Sequence, residues 1–365
     1  MKLTDYKVDK KAVKKSAKRI AGNEIIADFY RQLYTETARE KHLNRAESVC
    51  GCFQLWDIDH YRKQGIKDIK RINLCKDKFC LNCQNVQSKR RYTKYKPVLD
   101  DLMTERDIYH IVFTVPNCDG KELLGTLDRM YTKFPYIVRY FGGERKCNGI
   151  DFRSYGYIGA VRGLEITTKA TKGKQVEYHP HFHCLFVLHK KGVNGKRKHI
   201  NDFSYHNGKL RRKFTDFEIL LQKTWYLFYN DQRLTADVVN SLQQGYSVTV
   251  DRANGNYKEV FKYAVKGSFK DGAIFNYDVF ETLYYALHRR KVLQGYGVLN
   301  KYDFETVAEA EVEKVYAEIL AELRKIEDPE KQLLTLQEIC AELEHDDITY
   351  ISKNAIRREL LHNDA

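Results

Sequence analysis

The chain has 365 residues, 43% hydrophobic and 31% charged, enough to bury a core without disulfide staples. No apolar run approaches the roughly 18 residues that span a bilayer, and residues 1–7 carry no apolar signal region, so membrane and secreted classes are set aside and a cytoplasmic location is expected. The net charge of +14 is unevenly spread: residues 301–365 hold 8 basic against 17 acidic side chains, leaving 55 against 32 in residues 1–300, nets of −9 and +23. A basic body with an acidic tail points to a polyanion, nucleic acid first, and 26 tyrosines supply stacking platforms for unpaired bases.

Residues 1–45 read as a basic helical segment, with lysines crowded at 7, 10, 11, 14, 15 and 18. Residues 46–100 form a cysteine-rich module that holds five of the nine cysteines and the basic run Lys89, Arg90, Arg91. A strand is predicted over 108–115, rich in β-branched and aromatic residues and stopped by Pro116 and Asn117. A helix follows over 123–138. Two strands, 163–168 and 179–188, are joined by the polar loop 169–177 as an antiparallel hairpin. Phe217, Leu220, Leu221 and Trp225 have helical spacing, predicting a helix over 217–230. A short strand over 246–250, a turn cluster over 251–256 and a helix over 257–266 complete the segment 101–300. In residues 301–365, Val312, Tyr316, Ile319, Leu323 and Ile326 make an apolar stripe that Asp328 and Pro329 break before Leu336, so a helical hairpin is expected. The expected class is α+β, an antiparallel sheet with flanking helices, preceded by a small metal module and followed by a helical segment.

Cys80 and Cys83 form a C-x-x-C, with Cys75 five residues upstream and Cys50 and Cys52 further back. Tetrahedral zinc needs four soft ligands, and two cysteine-bearing turns joined by a hairpin would bring them together. The expected structural zinc ligands are Cys75, Cys80, Cys83 and one of Cys50 or Cys52, with Cys50 the choice and His60 a weaker fourth candidate. A redox pair or plain free thiols are the alternatives.

His179, His181 and His183 occupy alternate positions of the predicted strand, so their rings share a face while Phe182 and Cys184 point into the core. Glu165 on the facing strand lies opposite its apolar neighbours. His181, His183 and Glu165 therefore make a three-ligand set with open positions for a phosphate oxygen, suited to Mg²⁺ or Mn²⁺ acting as a Lewis acid. On the helix predicted over 257–266, Glu259, Tyr263 and Lys266 fall on one face. Tyr263 is a candidate nucleophile there, with the cation of Lys266 lowering its barrier and Glu259 able to accept a proton. An amphipathic helix with an ordinary charged face would show the same residues.

Taken in order, residues 111–117, Leu164 to Thr167, the histidine strand 179–183 and residues 259–266 resemble the rolling-circle replication initiators of small bacterial plasmids, members of the HUH endonuclease superfamily. The spacing Cys75-x4-Cys80-x2-Cys83 and the aromatic-basic stretch 284–297 are similar to that family too, and the resemblance spans roughly 46–300. This chain has Leu81 after Cys80, where the family commonly has proline. The resemblance implies an HUH nicking-joining domain over 101–300. His181, His183 and Glu165 would hold the metal that polarises a scissile phosphate, and Tyr263 would attack it, leaving a 5′-phosphotyrosine and a free 3′-OH primer. Lys266 would support the nucleophile and Glu259 would activate the water or second strand transfer that ends the round. The implied partners are plasmid origin DNA, single-stranded or hairpin at the nick with duplex nearby, host replication proteins, and a separate host helicase, since no G-x-x-x-x-G-K-[ST] motif is present. A transposase or mobilisation relaxase of the same chemistry, or a zinc-containing DNA-binding regulator, are the alternatives.

Overall fold

The computed structural model describes residues 10–52, 75–170, 176–190, 192–193, 195–262 and 275–301. The described residues up to Gln87 form one compact unit and those from Ser88 to Lys301 another. Among the described residues no helix is long and apolar enough to cross a membrane. Tyr263, Lys266, His60 and the acidic segment beyond Lys301 lie outside the described residues.

The first unit contains helices α1 (Lys10–Thr37) and α2 (Glu40–Gly51), and the start of α3 (Leu81–Glu105). Ala38 adopts φ 53°, a left-handed position that ends α1 and turns the chain into α2. Ile26, Ala27, Tyr30 and Leu33 of α1 are buried, as are His42, Ala46 and Val49 of α2. Their spacing is that of one helical face each.

The second unit is a five-stranded sheet in the order β6-β1-β3-β2-β7, with every neighbouring pair antiparallel. Its strands are β1 (Arg106–Thr114), β2 (Gly159–Ala170), β3 (Val176–His189), β6 (Val248–Arg252) and β7 (Leu293–Gly297). A separate pair, β4 (Tyr205–His206) and β5 (Lys209–Leu210), lies between β3 and the later helices. The helices are α4 (Leu123–Phe141), α5 (Asp216–Tyr229), α6 (Ala236–Ser241) and α7 (Tyr277–Ala286). The mixed helix and antiparallel-sheet class expected from the sequence is what the chain adopts.

One sheet face is sealed by aromatic packing. On α4 the residues Leu127, Met130, Phe134, Ile137 and Phe141 recur every three or four positions and are buried. Phe134 meets Phe113 of β1 and Phe182 of β3 edge-on, at 5.5 and 5.4 Å between centroids. From α5, Trp225 packs on Phe113 and donates its indole N–H to the Thr114 carbonyl at 3.0 Å. Helix α5 starts on a capping box in which Thr215 and Glu218 exchange hydrogen bonds. With period-2 alternation, burial of Phe113, Phe182 and Leu164 on this face turns His110, His183 and Glu165 to the other.

On that other face the turn after β6 packs against β2 and β3, and it departs from the sequence expectation. The helix expected over 257–266 is, in its described part, one turn of 3-10 helix, Lys258–Phe261, after which Lys262 is extended at φ −65°, ψ 173°. Packing explains the short turn. Val260 and Phe261 are buried, and Phe261 stacks on Tyr95 at 5.0 Å. The described chain thus leaves helical geometry at Lys262, and the expected shared face with Tyr263 and Lys266 falls outside the described residues.

Candidate functional site

Antiparallel pairing of β2 with β3 puts Glu165 opposite His181 and Gly163 opposite His183. The three polar side chains converge: Glu165 Oε2 lies 2.9 Å from His181 Nε2 and 2.5 Å from His183 Nε2. Glu165 is buried, and the two histidines keep a partial opening.

His181 Nδ1 stands 3.0 Å from the His179 carbonyl, which can only accept, so Nδ1 carries a proton and Nε2 is the atom turned to the carboxylate. His183 Nδ1 stands 3.0 Å from His110 Nε2 on β1, and the two rings are stacked at 8°. Burial, then the neighbouring His183, pushes His110 down to about 4, so it is neutral at pH 7, and a neutral ring can serve either side of this hydrogen bond. Two imidazole nitrogens and a buried carboxylate oxygen thus face one point. A two-nitrogen, one-oxygen set with its outer nitrogens fixed by hydrogen bonds fits a divalent cation.

Sequence patterning did not single out His110. Its signal was present: 110, 112 and 114 alternate with the apolar Ile111 and Phe113, so His110 shares a face with whatever lies across from it. Gly163 is a second omission. A Cβ there would sit 2.3 Å from the Val260 carbonyl oxygen, so only glycine lets the turn lie on β2. That turn carries Glu259, which is exposed, paired with Lys262, and near enough to bear electrostatically on His110. Lys262 immediately precedes Tyr263.

The first unit holds a second cluster, of four sulfurs. Its fourth member is Cys52, not Cys50. Helix α2 ends at Gly51, and Cys52 at its C-cap is extended (φ −64°, ψ 137°), which turns its side chain out of the helical row in which Cys50 remains. Cys52 Sγ and Cys75 Sγ lie 3.5 and 3.6 Å from Cys83 Sγ, near the sulfur–sulfur edge of about 3.8 Å for tetrahedral zinc at 2.3 Å. The residues joining Cys52 to Cys75 lie outside the described residues. Helix ends frame the cluster: the C-terminus of α2, and the loop and first turn of α3 with Cys80 and Cys83.

Asp77 ties that loop down, accepting from Tyr30 Oη at 2.8 Å and from Phe79 N at 2.8 Å, with Arg45 Nε at 3.4 Å. Buried Asn23 donates to Cys80 Sγ at 3.3 Å and accepts from Leu81 N at 2.8 Å. A proline at 81 would lack that donor, so Leu81 and Asn23 belong together. Hydrogen-bond contact with Cys52, then Cys75, pulls the Cys83 thiol down, while contact with Cys52 pushes Cys80 up. Four sulfurs sharing a thiolate suit a soft cation.

The family model described as replication protein, Rep_1, matches residues 66–207. The match includes Cys75, Cys80 and Cys83 and the complete Glu165, His181, His183 set; Glu259 and Tyr263 lie beyond it. It supports a role as a replication protein. No curated protein and no solved structure matches the chain.

Proposed function

We propose that this chain is a plasmid rolling-circle replication initiator with an HUH nicking-joining domain, a metal-dependent endonuclease that cuts single-stranded origin DNA. The observation that carries the reading is the convergence of Glu165, His181 and His183 on one sheet face, beside the turn that leads into Tyr263. In this reading residues 46–100 form the zinc-binding module, through Cys52, Cys75, Cys80 and Cys83, and 101–300 the catalytic domain.

Mg²⁺ or Mn²⁺ held by the trio would supply Lewis-acid polarisation of the scissile phosphate. The His179 carbonyl and His110, each 3.0 Å from an outer ring nitrogen, would orient the two imidazoles for ligation. Tyr263 Oη attacks phosphorus and loses its proton. The phosphorus–O3′ bond breaks, and the 3′ oxygen takes up a proton to become the primer hydroxyl. The 5′-phosphate stays on Tyr263. Lys266 offsets charge at the phosphate. At termination Glu259 takes a proton from water, or orients a second strand's 3′-OH, so that the phosphotyrosine is resolved. The phosphodiester energy is conserved in the link, and no nucleotide is consumed. Unwinding falls to a separate host helicase.

The test is adduct formation. With Mg²⁺ or Mn²⁺ and origin single strand, the full chain yields a DNA–protein adduct on a denaturing gel, absent in Tyr263→Phe. Glu259→Ala nicks and accumulates covalent product. Absence of cleavage with every single strand and hairpin from the replicon would overturn the reading in favour of a DNA-binding regulator.

A further inference from the structure

Between β3 and α5 the chain carries residues 196–214, with seven Lys and Arg side chains and a single carboxylate, Asp202. None of the chemistry above uses them. The segment doubles back on itself as an arm. His199 and Phe214 exchange backbone hydrogen bonds at 3.0 and 2.8 Å, and Ser204 O accepts from Arg211 N at 2.8 Å. Beyond these, Tyr205 pairs with Leu210 and His206 with Lys209. The tip turns at Asn207 and Gly208, with φ of 49° and 72°. Two consecutive left-handed residues are what a two-residue hairpin turn requires, and Asn-Gly is the sequence that best adopts them. The tip is thus a defined ribbon end, and a Cβ on Gly208 would meet nothing within 4 Å.

The base is fastened to the body. Phe214 and Ser204 are fully buried, and Asn201 Nδ2 donates to Gln222 Oε1 at 2.8 Å. Arg212 pairs with buried Glu218 and with Asp251 of β6, and Arg197 also reaches Asp251 at 2.6 Å. Those two arginines are therefore structural. Lys196, Lys209, Arg211 and Lys213 are different: all four are exposed, and among the described residues none has a carboxylate partner. Among them stand exposed apolar side chains, Ile200, Tyr205 and Leu210, each about half accessible.

We propose that this arm is a duplex-DNA reader that enters the major groove as a two-stranded β-ribbon; the inference rests on the DNA-binding part of the function proposed above. The B-form major groove, about 12 Å wide, admits a two-stranded ribbon, whereas the A-form RNA groove is too narrow. Four unpaired cations match phosphates on its rims. Tyr205, His206 and Asn207 at the tip offer an apolar ring and polar groups to base edges, and Leu210 suits a thymine methyl. A solvated basic loop would need neither the Asn-Gly ribbon nor three exposed apolar side chains among its charges. Fastening to β6, which pairs with β1 and its His110, sets the duplex site on the sheet edge next to the histidine trio.

The test begins with the full wild-type chain selecting tight binders from a random-sequence duplex pool, followed by anisotropy and guanine-N7 methylation protection on the selected duplex. The triple variant Lys209→Ala, Arg211→Ala, Lys213→Ala should lower the log–log salt slope by about 0.9 for each phosphate the ribbon no longer neutralises. Tyr205→Ala should cut the preference for the selected over a scrambled duplex by about tenfold and remove N7 protections. These side chains are exposed, so both variants retain the wild-type melting temperature. Adduct formation on a short single strand should be unchanged in both. Wild-type affinity and protection in the variants, no enriched sequence, or equal binding of an RNA duplex would each overturn the arm's role, while wild-type adduct formation left intact would preserve the nicking reading. Loss of protection in the variants, with no adduct from the wild type, would leave the arm standing and remove the nicking reading.

Discussion

Gly163→Ala tests the positioning of the proposed nucleophile segment most directly, because it adds one methyl group outside the proposed reacting atoms. The new Cβ would lie 2.3 Å from the Val260 carbonyl oxygen, whereas ordinary contact begins at 3.4 Å. About 1 Å of separation must be found. Gly163 sits on β2, paired with β3 on one side and β7 on the other, so the strand is held and the turn Lys258–Phe261 is what retreats. A displacement of about 1 Å at a reacting group costs on the order of 100-fold in rate, and the overpacking costs roughly 1–3 kcal/mol of stability. The expected result is therefore a folded protein whose single-turnover adduct formation falls about 100-fold, with Mn²⁺ affinity of the histidine trio unchanged. Gly125→Ala is the matched control. No atom lies within 4 Å of its Cβ, and helix propensity favours alanine there by about 1 kcal/mol. Adduct formation at the wild-type rate in Gly163→Ala would refute the reasoning. So would loss of Mn²⁺ binding, since the damage would then lie in the trio and not in the turn.

Three further outcomes are expected. Cys52→Ala should lose the one zinc measured per chain by plasma emission and lower the melting temperature, whereas Cys50→Ala should keep the metal; the reverse would mean that Cys50 is the ligand. His110→Ala should weaken Mn²⁺ binding about 10- to 100-fold, the usual effect of removing a group that orients a ligand, and His110→Gln, which keeps an acceptor, should recover part of it in the same titration. Burial pushes Asp251 up, but hydrogen bonds from Arg212 and Arg197 and their charges bring it below the usual carboxylate value of 3.8. A depressed folded-state pKa gives stabilisation fully present above the unfolded value and lost as pH falls through the folded one. Hydrogen-exchange protection in residues 196–214, taken relative to the intrinsic rate at each pH, should therefore be flat from about pH 5 to 8 and fall below about pH 4; a fall starting near neutrality would mean another group holds the arm.

Much of the sheet was legible because alternation is a local property. The hairpin of the second and third strands, the inward Phe182 and Cys184, and the outward His181, His183 and Glu165 all follow from period 2 once the strands are recognised. The described stretch 257–262 departs from the expected helix for the opposite reason. Its residues have acceptable helical propensity, but burial of Val260 and Phe261 against β2 and Tyr95 decides the conformation, and those neighbours are remote in sequence. The cysteine module shows the same limit. Spacing points to three of the four clustered sulfurs, while the choice between Cys50 and Cys52 depends on where α2 ends, and helix ends are set by capping and packing. Asn23, Tyr30 and Asp77, which hold the sulfur loop, carry no sequence signal at all. The turn Asn207-Gly208 is the reverse case, a strong local signal written in two adjacent residues.

The charge pattern acquires a physical meaning from these pairings. Several carboxylates of the second unit are matched by arginine: Asp107 by Arg252, Asp251 by Arg212 and Arg197, Asp128 by Arg290. Glu165 lies against imidazoles. It is buried, and its Oε2 meets two histidines whose outer nitrogens are engaged by the His179 carbonyl and by His110. A divalent cation seated between this carboxylate and the two imidazoles would offset the charge that burial penalises. Replacing Glu165 by Gln keeps the shape and removes the charge. If the cation is what the carboxylate is for, the variant should gain stability without metal and lose the metal-induced rise in melting temperature that the wild type shows. An unchanged rise would mean the ion binds elsewhere, and the trio would be a hydrogen-bonded part of the sheet and nothing more.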